Sequence, residues 1–386
     1  MDFSLSNEQR SLVNSFKRFA TEYLTVENIR QWQHDEGLPD KVRRAFVEEY
    51  YRHPQLAGFE DRSGSLLAQA LINEEMCRVA GASLPFASDI MHVRILQEFA
   101  AASDKARPLI EEYRTSGKLA FSLAVTEPAA GSDTMGMKTK VTRRSNRLFL
   151  DGRKTFVENG EYAPQIMVAA LDETNTQATE RPHLSFWLVP LDTNGIEAYP
   201  IDKIGQKILP FADLSFSQVE LDPSWRLDDT GMAGFPRLFH VFEISRTLVC
   251  AQSLGMAQAA LEDAVHHAQQ REAFGQAIGD FQQIEQLLVD MEINVRAMRA
   301  LVYEAAWAFD ASCSDKRLAV ALMKRFVPQA ACDVASRAMQ ILGGRGYTTY
   351  ERASWIWQDC RGNQIADGTD QIMVRIASPL LKEKYQ

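Results

Sequence analysis

The first third of the chain has apolar residues at helical spacing. Ser6 and Gln9 have the pattern of a capping box. The helix that they predict has its apolar positions at Leu12, Val13, Phe16, Phe19, Ala20 and Tyr23. The same spacing continues over Ala68–Cys77 and Lys105–Tyr113, whereas Gly58–Ser65 has the composition of a loop. These patterns predict an all-helical N-terminal domain over residues 1–119.

The pattern changes to short β-branched and aromatic runs from about Phe121. Gly, Pro, Asn and Asp separate these runs, and Ser145-Asn146 has the composition of a hairpin turn. The predicted strands are Phe121–Val125, Lys140–Arg143, Leu148–Asp151, Ile166–Leu171, Ser185–Val189 and Leu214–Leu221. Because no helices are predicted between them, we expect a central antiparallel β-barrel or sandwich over residues 120–230.

Long helical patterns return after about Gly231. They cover Phe242–Gln270, Asp280–Phe309 and Lys316–Leu342, and a last helix is predicted from Thr369 to the end. Four long helices in sequence predict a C-terminal four-helix bundle over residues 231–386. The fold class is therefore a multi-domain α+β protein, with helices, then strands, then a helical bundle.

The amino-acid composition and net charge limit which kinds of binding partner are expected. Hydrophobic residues make up 46% of the 386 residues, and the formal net charge is −9. This balance is typical of a globular protein and argues against nucleic acid or an anionic membrane as the main partner. The N-terminus lacks the basic start and apolar run of a signal peptide, and the five cysteines are scattered. We therefore expect a cytoplasmic protein with free thiols and no disulfides.

Signatures of hydrolases, nucleotide-binding loops and metalloenzymes do not occur in this chain. It has no Walker A, HExxH or GxSxG motif. His266 and His267 are adjacent and would point about 100° apart on a helix, so they cannot chelate one metal. No metal site is predicted.

Four segments carry the remaining chemistry. They are Val125–Asp133 (VTEPAAGSD), Gly152–Gly160 (GRKTFVENG), Arg271–Gly275 (REAFG), and Gln340–Tyr347 (QILGGRGY) together with Asp367–Ile372 (DGTDQI). Each motif is weak alone, since Gly-Gly after a helix is usually a C-cap. In this order, and over nearly the whole chain, they resemble the acyl-CoA dehydrogenase family. The tail from Leu301 is most similar to the branch that contains crotonobetainyl-CoA reductase.

The resemblance implies an FAD site. Val125 and Thr126 match residues that hydrogen-bond the pyrimidine side of the flavin, and Phe156 matches the aromatic residue that stacks against its ring. Ser132 matches a contact to the ribityl–pyrophosphate region or the nearby CoA. Residues expected to reach a neighbouring subunit's FAD are Arg271, Phe274, Gln340, Gly343 and Gly344, while Thr369 and Gln371 match contacts to the adenine-side phosphate and ribose. A shared site implies an oligomer, usually a tetramer in this family.

The resemblance also implies the reaction, in which a carboxylate removes the α-proton of an acyl-CoA thioester while the β-hydrogen leaves as hydride to FAD. The family's glutamate is replaced here by Asp367, and the alternative position in some relatives is Ser245. Asp367 is therefore the candidate base, although an ordinary N-cap of the last helix is the alternative. Glu243 is expected to face elsewhere. Residues expected near the substrate are Ser132, Arg246 and Gly368.

A second departure is Glu158, at the position where the family commonly has a threonine that donates a hydrogen bond to flavin N5. An ionised glutamate cannot donate. Glu158 is therefore either an altered cofactor contact or a side chain that points to solvent.

The expected function is that of an FAD-dependent acyl-CoA dehydrogenase, or an enoyl-CoA reductase in the reverse direction. Electron-transfer flavoprotein is the expected electron partner. The alternative is a non-catalytic or FAD-sharing subunit of a heteromeric dehydrogenase, because several family residues around the site are replaced. The acyl group has no signature in the sequence.

Overall fold

The N-terminal part of the computed structural model is helical, as the sequence predicts. The structure describes residues 4–58, 64–99, 106–119, 121–174, 183–227 and 234–386. Ser6 and Gln9 form the predicted capping box, so α1 begins at Asn7. The helices here are α1 (Asn7–Tyr23), α2 (Val26–Asp35), α3 (Asp40–Tyr51), α4 (Pro54–Ala57), α5 (Leu66–Ala80), α6 (Phe86–Phe99) and α7 (Ala106–Ser116). Most of the predicted Gly58–Ser65 loop lies outside the described residues.

The central part is a seven-stranded sheet. Its strands are β1 (Ser122–Ala124), β2 (Lys140–Arg144), β3 (Arg147–Glu158), β4 (Gln165–Asp172), β5 (His183–Pro190), β6 (Ile196–Ile201) and β7 (Phe211–Leu221). The order is β1-β4-β2-β3-β7-β6, with β5 also paired to β4. Ser145 and Asn146 both have positive φ and join β2 to β3 as the predicted hairpin turn.

Two features of the sheet differ from the sequence prediction. Strand β4 pairs in parallel with β1 and with β2, so the sheet is mixed, although its other pairings are antiparallel. Strand β6 was not predicted, because it is a half-exposed strand at the end of the sheet and lacks a continuous apolar run. The α+β class and the order of helices, sheet and helices are confirmed.

The C-terminal part contains the four predicted long helices and one more. They are α8 (Gly234–Gln270), α9 (Gln282–Asp310), α10 (Lys316–Leu342), α11 (Arg352–Ile365) and α12 (Asp370–Lys384). Helix α11 was not predicted. A short hairpin of β8 (Glu272–Ala273) and β9 (Gln276–Ala277) connects α8 to α9. The predicted domain boundaries lie between residues 119 and 120 and between residues 230 and 231. Residues 120 and 228–233 lie outside the described residues, so these boundaries stay predictions.

Alternating side chains of β4 belong to two cores. Met167 and Ala169 pack with the large core of the N- and C-terminal helices, whereas Ile166, Val168 and Ala170 pack in the core of the sheet. Because successive residues of a strand point to opposite faces, one strand joins the sheet to both helical parts. The candidate site lies at this junction.

No helix among the described residues combines the length and the apolar character that crossing a membrane requires.

Candidate active site

A pocket of about 130 Å³ lies where α6, α8, the sheet and the turn before α12 meet. Its walls include Ser88, Met91 and His92 from α6, Phe242, Ser245, Leu248, Val249 and Gln252 from α8, and Leu123, Val125, Thr126, Thr155, Phe156, Glu158 and Asp367. A larger hollow of about 480 Å³ follows the outer face of α1 between Asn14 and Glu22. That hollow is lined by a single helix and holds none of the predicted site residues. We therefore place the functional site at the pocket between α6, α8 and the sheet.

Buried polar contacts fix the chain at the end of β1. The Lys154 ammonium donates to the Val125 carbonyl at 2.8 Å and to the Glu127 carboxylate at 2.9 Å. Glu127 in turn accepts backbone N–H groups of Lys138 and Thr139. Burial lowers the pKa of Lys154 to about 8, and the Glu127 carboxylate opposes that shift. This network holds Val125 in place, and the sequence did not identify Lys154 as part of it.

Phe156 is an exposed aromatic residue at the pocket wall. Its φ is +56°, and the pairing of β3 with β7 shifts register between Lys154 and Val157. The register shift turns the Phe156 side chain out of the sheet and leaves 58% of it exposed. A bulky residue in the left-handed region is strained, so the fold maintains an uncovered aromatic face at the pocket.

Asp367 lies in the turn between α11 and α12 and faces the pocket. The Ser245 hydroxyl donates to Asp367 Oδ2 at 2.5 Å, and Arg246 Nε donates to the Asp367 backbone carbonyl at 2.8 Å. The ammonium of the fully buried Lys324 donates to the carbonyls of Asn363 at 2.9 Å and Gly368 at 3.3 Å. Two buried cations therefore hold a turn in which Asp367 has a φ of +55°.

The structure excludes the alternative in which Asp367 caps the last helix. The N-cap of α12 is Thr369, whose hydroxyl accepts the Ile372 N–H. The Asp367 carboxylate is bonded to Ser245 instead. Glu243 is buried on α8 and does not line the pocket, as the sequence predicted.

Glu158 is half-buried and faces the pocket, so the alternative in which it points to solvent is wrong. The Ser88 hydroxyl donates to Glu158 Oε2 at 2.5 Å. Burial raises the pKa of Glu158 to about 7, and the negative charge of Asp367 adds to this shift, while the Ser88 hydrogen bond opposes it. The pocket thus contains the carboxyl groups of Asp367 and Glu158, and burial there favours the protonated form of Glu158.

Other predicted site residues lie outside the pocket. Arg246 is buried behind the Asp367 turn, and Gly368 follows Asp367 with a φ of +105°. Ser132 lies on the exposed loop after β1, and Gln371 is exposed at the start of α12. Their predicted contacts to cofactor or substrate stay predictions.

A second group of predicted residues is exposed on the C-terminal helices and their hairpin. Phe274 lies at the tip of the β8–β9 hairpin with 98% of its surface exposed, and Arg271 and Gln340 are also exposed. An added Cβ at Gly343 or at Gly344 would meet no atom within 4 Å. Gly343 has a φ of +62°, which favours glycine, but neither the backbone angle nor the space within one chain requires glycine at Gly344.

Comparison with known proteins covers nearly the whole chain. Family models described as acyl-CoA dehydrogenase, middle domain, and acyl-CoA dehydrogenase, C-terminal domain, match residues 122–219 and 232–379. The chain is 32% identical over 392 residues to a probable acyl-CoA dehydrogenase, YdiO, of Escherichia coli, covering 100% of both chains.

Two solved structures are also similar to this chain. An acyl-CoA dehydrogenase from Slackia heliotrinireducens is 46% identical, with a TM-score of 0.91 and coverage of 100% of this chain and 99% of that one. Butyryl-CoA dehydrogenase from Megasphaera elsdenii is 25% identical, with a TM-score of 0.82 and coverage of 99% and 100%.

Proposed function

Because the chain belongs to the acyl-CoA dehydrogenase family of FAD-dependent oxidoreductases that act on CH–CH groups, we propose that it interconverts an acyl-CoA thioester and its α,β-unsaturated form, with Asp367 as the base. The observation that carries this proposal is the Asp367 carboxylate, which Ser245 holds in the pocket at 2.5 Å. Val125, Thr126 and Phe156 line the same pocket.

The residues present fit an FAD. Phe156 offers an uncovered aromatic face for stacking, and the fixed end of β1 offers Val125 and Thr126 beside it. No ion pair of the Arg271 guanidinium occurs among the described residues, so its charge is available for a phosphate. When bound, FAD supplies the acceptor for the hydride that leaves Cβ.

Asp367 would take the α-proton. The proton moves from Cα to a carboxylate oxygen, and the electron pair of the broken C–H bond forms the new double bond as the β-hydrogen leaves. Ser245 occupies Oδ2, which leaves Oδ1 to accept the proton. Arg246 and Lys324 bind backbone carbonyls of the turn, so they fix where the shorter acid is placed. Placement matters because an error of about 1 Å can slow a reaction on the order of a hundredfold.

The proposal includes an oligomer that shares its FAD sites. Arg271, Phe274, Gln340 and Gly344 are exposed in the single chain. Glycine at Gly344 is explained if another molecule approaches its backbone. We further propose that electron-transfer flavoprotein accepts the electrons and that the protein works in the cytoplasm. The direction of the reaction follows from the redox potentials of flavin and substrate.

Anaerobic titration of the purified protein with a panel of CoA thioesters tests the proposal. A yellow protein whose visible flavin absorbance bleaches with a saturated acyl-CoA, but not with the free acid, supports it. A protein that purifies without flavin, and takes up none when FAD is added, would contradict it and indicate a subunit without its own activity.

A further inference from the structure

We propose that Ser88, His92 and Glu158 form a polar subsite for the acyl group, and that the preferred substrate is an acyl-CoA whose acyl end carries a hydrogen-bond donor, a hydroxyl or an amino group. This inference rests on the proposed function, because it names the substrate class of the same pocket.

The three side chains come together on one wall of the pocket. Ser88 and His92 are four residues apart on α6, so they lie on the same face of that helix. Both line the pocket, as does Glu158 at the end of β3. The Ser88 hydroxyl bonds Glu158 at 2.5 Å, which turns the glutamate toward α6. A purely hydrocarbon acyl chain would make no hydrogen bond to these three side chains.

His92 has an unused hydrogen-bonding atom. Its side chain is buried, with 4% of the residue exposed, and its ring packs on Phe121 with centroids 4.6 Å apart. Its buried Nδ1 has no hydrogen-bond partner among the described residues. Burial lowers the pKa of His92 to about 3, and the Arg43 guanidinium adds to this shift. His92 is therefore neutral, and one of its ring nitrogens is free to accept a hydrogen bond from a ligand.

Charge in the pocket favours a donor over a second carboxylate on the acyl group. Glu158 faces Asp367 in the same pocket, and the negative charge of Asp367 makes ionisation of Glu158 less favourable. Asp89, also on α6, is bonded to Arg43, so that cation is already paired. Lys203 is the nearby cation that favours the charged form of Glu158, and it does not line the pocket. A ligand carboxylate would meet two acids there, whereas a hydroxyl or amino group would meet acceptors.

Binding of two thioesters of equal size tests the subsite. Pentanoyl-CoA and 4-hydroxybutanoyl-CoA differ by a methyl group in place of a hydroxyl. Their dissociation constants are measured by isothermal titration on the FAD-loaded Asp367→Asn variant, which prevents turnover. We expect the hydroxyl compound to bind about tenfold more tightly or better, because a site that hydrogen-bonds a hydroxyl discriminates strongly against its absence.

Variants of the subsite complete the test. Ser88→Ala and His92→Phe, each retaining FAD, should reduce the preference for the hydroxyl compound to about twofold or less. Glu161→Gln is the matched control, because Glu161 follows the same strand outside the pocket, and it should retain the preference. Equal affinities in the parent, or an unchanged preference in both subsite variants, would overturn the subsite and leave the proposed function standing. If neither thioester binds, the proposed function falls with it.

Discussion

Replacing Glu158 by glutamine should change how the thermal stability of the protein depends on pH. The pKa of Glu158 rises from 4.5 to about 7 in the folded protein, chiefly through burial. A raised pKa means that the folded state binds the proton more tightly than the unfolded state. The contribution to stability is therefore complete below about pH 4.5 and is lost as the pH rises through about 7.

The size of this effect follows from the shift. Each pKa unit is worth about 1.4 kcal/mol. Ionisation of Glu158 should therefore lower the unfolding free energy of the parent by about 2 kcal/mol as the pH rises from about 5.5 to 8.5. An unfolding entropy of about 2.1 cal/mol/K per residue gives roughly 0.8 kcal/mol/K for 386 residues. The difference in melting temperature between Glu158→Gln and the parent should grow by ~2–3 °C over that range.

Differential scanning calorimetry of the parent, Glu158→Gln and the control Glu161→Gln checks this prediction. Only Glu158→Gln should gain stability relative to the parent as the pH rises. Ser88→Ala should steepen the parent's loss, because the hydroxyl stabilises the charged form of Glu158. Parallel melting curves for Glu158→Gln and the parent would refute the inference that the pocket favours the protonated acid.

Three further changes probe the site. Arg271→Ala should release FAD on gel filtration, because the exposed guanidinium is free to bind a phosphate; full retention would contradict the cross-subunit contact. Lys324→Met leaves the Asn363 and Gly368 carbonyls without their hydrogen-bond donor. The unfolding free energy measured by urea denaturation should therefore fall by about 2–4 kcal/mol, and flavin reduction should slow. Unchanged stability and rate would contradict a positioning role for Lys324. Ser245→Ala should slow flavin reduction by roughly tenfold in stopped flow with unchanged affinity for CoA, and a parental rate would remove Ser245 from the site.

Local patterns predicted most of the secondary structure. The capping box at Ser6 and the turn at Ser145-Asn146 involve residues close in sequence, so propensity and turn chemistry were sufficient. The parallel pairing of β4 with β1 and β2 was missed, because it joins segments far apart in sequence. Periodicity within one segment carries no information on which strand lies beside it.

The site was predicted in part for the same reason. Asp367 and Glu158 lie in motifs that a single stretch of sequence reveals. The residues that position them do not lie in these motifs, since Ser88 comes from α6, Ser245 from α8 and Lys324 from α10. A buried lysine that binds backbone carbonyls leaves no pattern, because the carbonyls it contacts belong to every residue type.

Anaerobic flavin reduction by an acyl-CoA, compared between the parent, Asp367→Asn and Asp367→Glu, tests whether Asp367 is the base. Asparagine keeps the shape and the bond to Ser245 but cannot accept a proton, so FAD and thioester affinity should remain while reduction is abolished. Glutamate should lower the rate, because the Ser245, Arg246 and Lys324 contacts position the turn around a shorter acid. Reduction at the parental rate in Asp367→Asn would contradict the assignment of Asp367, since the base would then lie elsewhere.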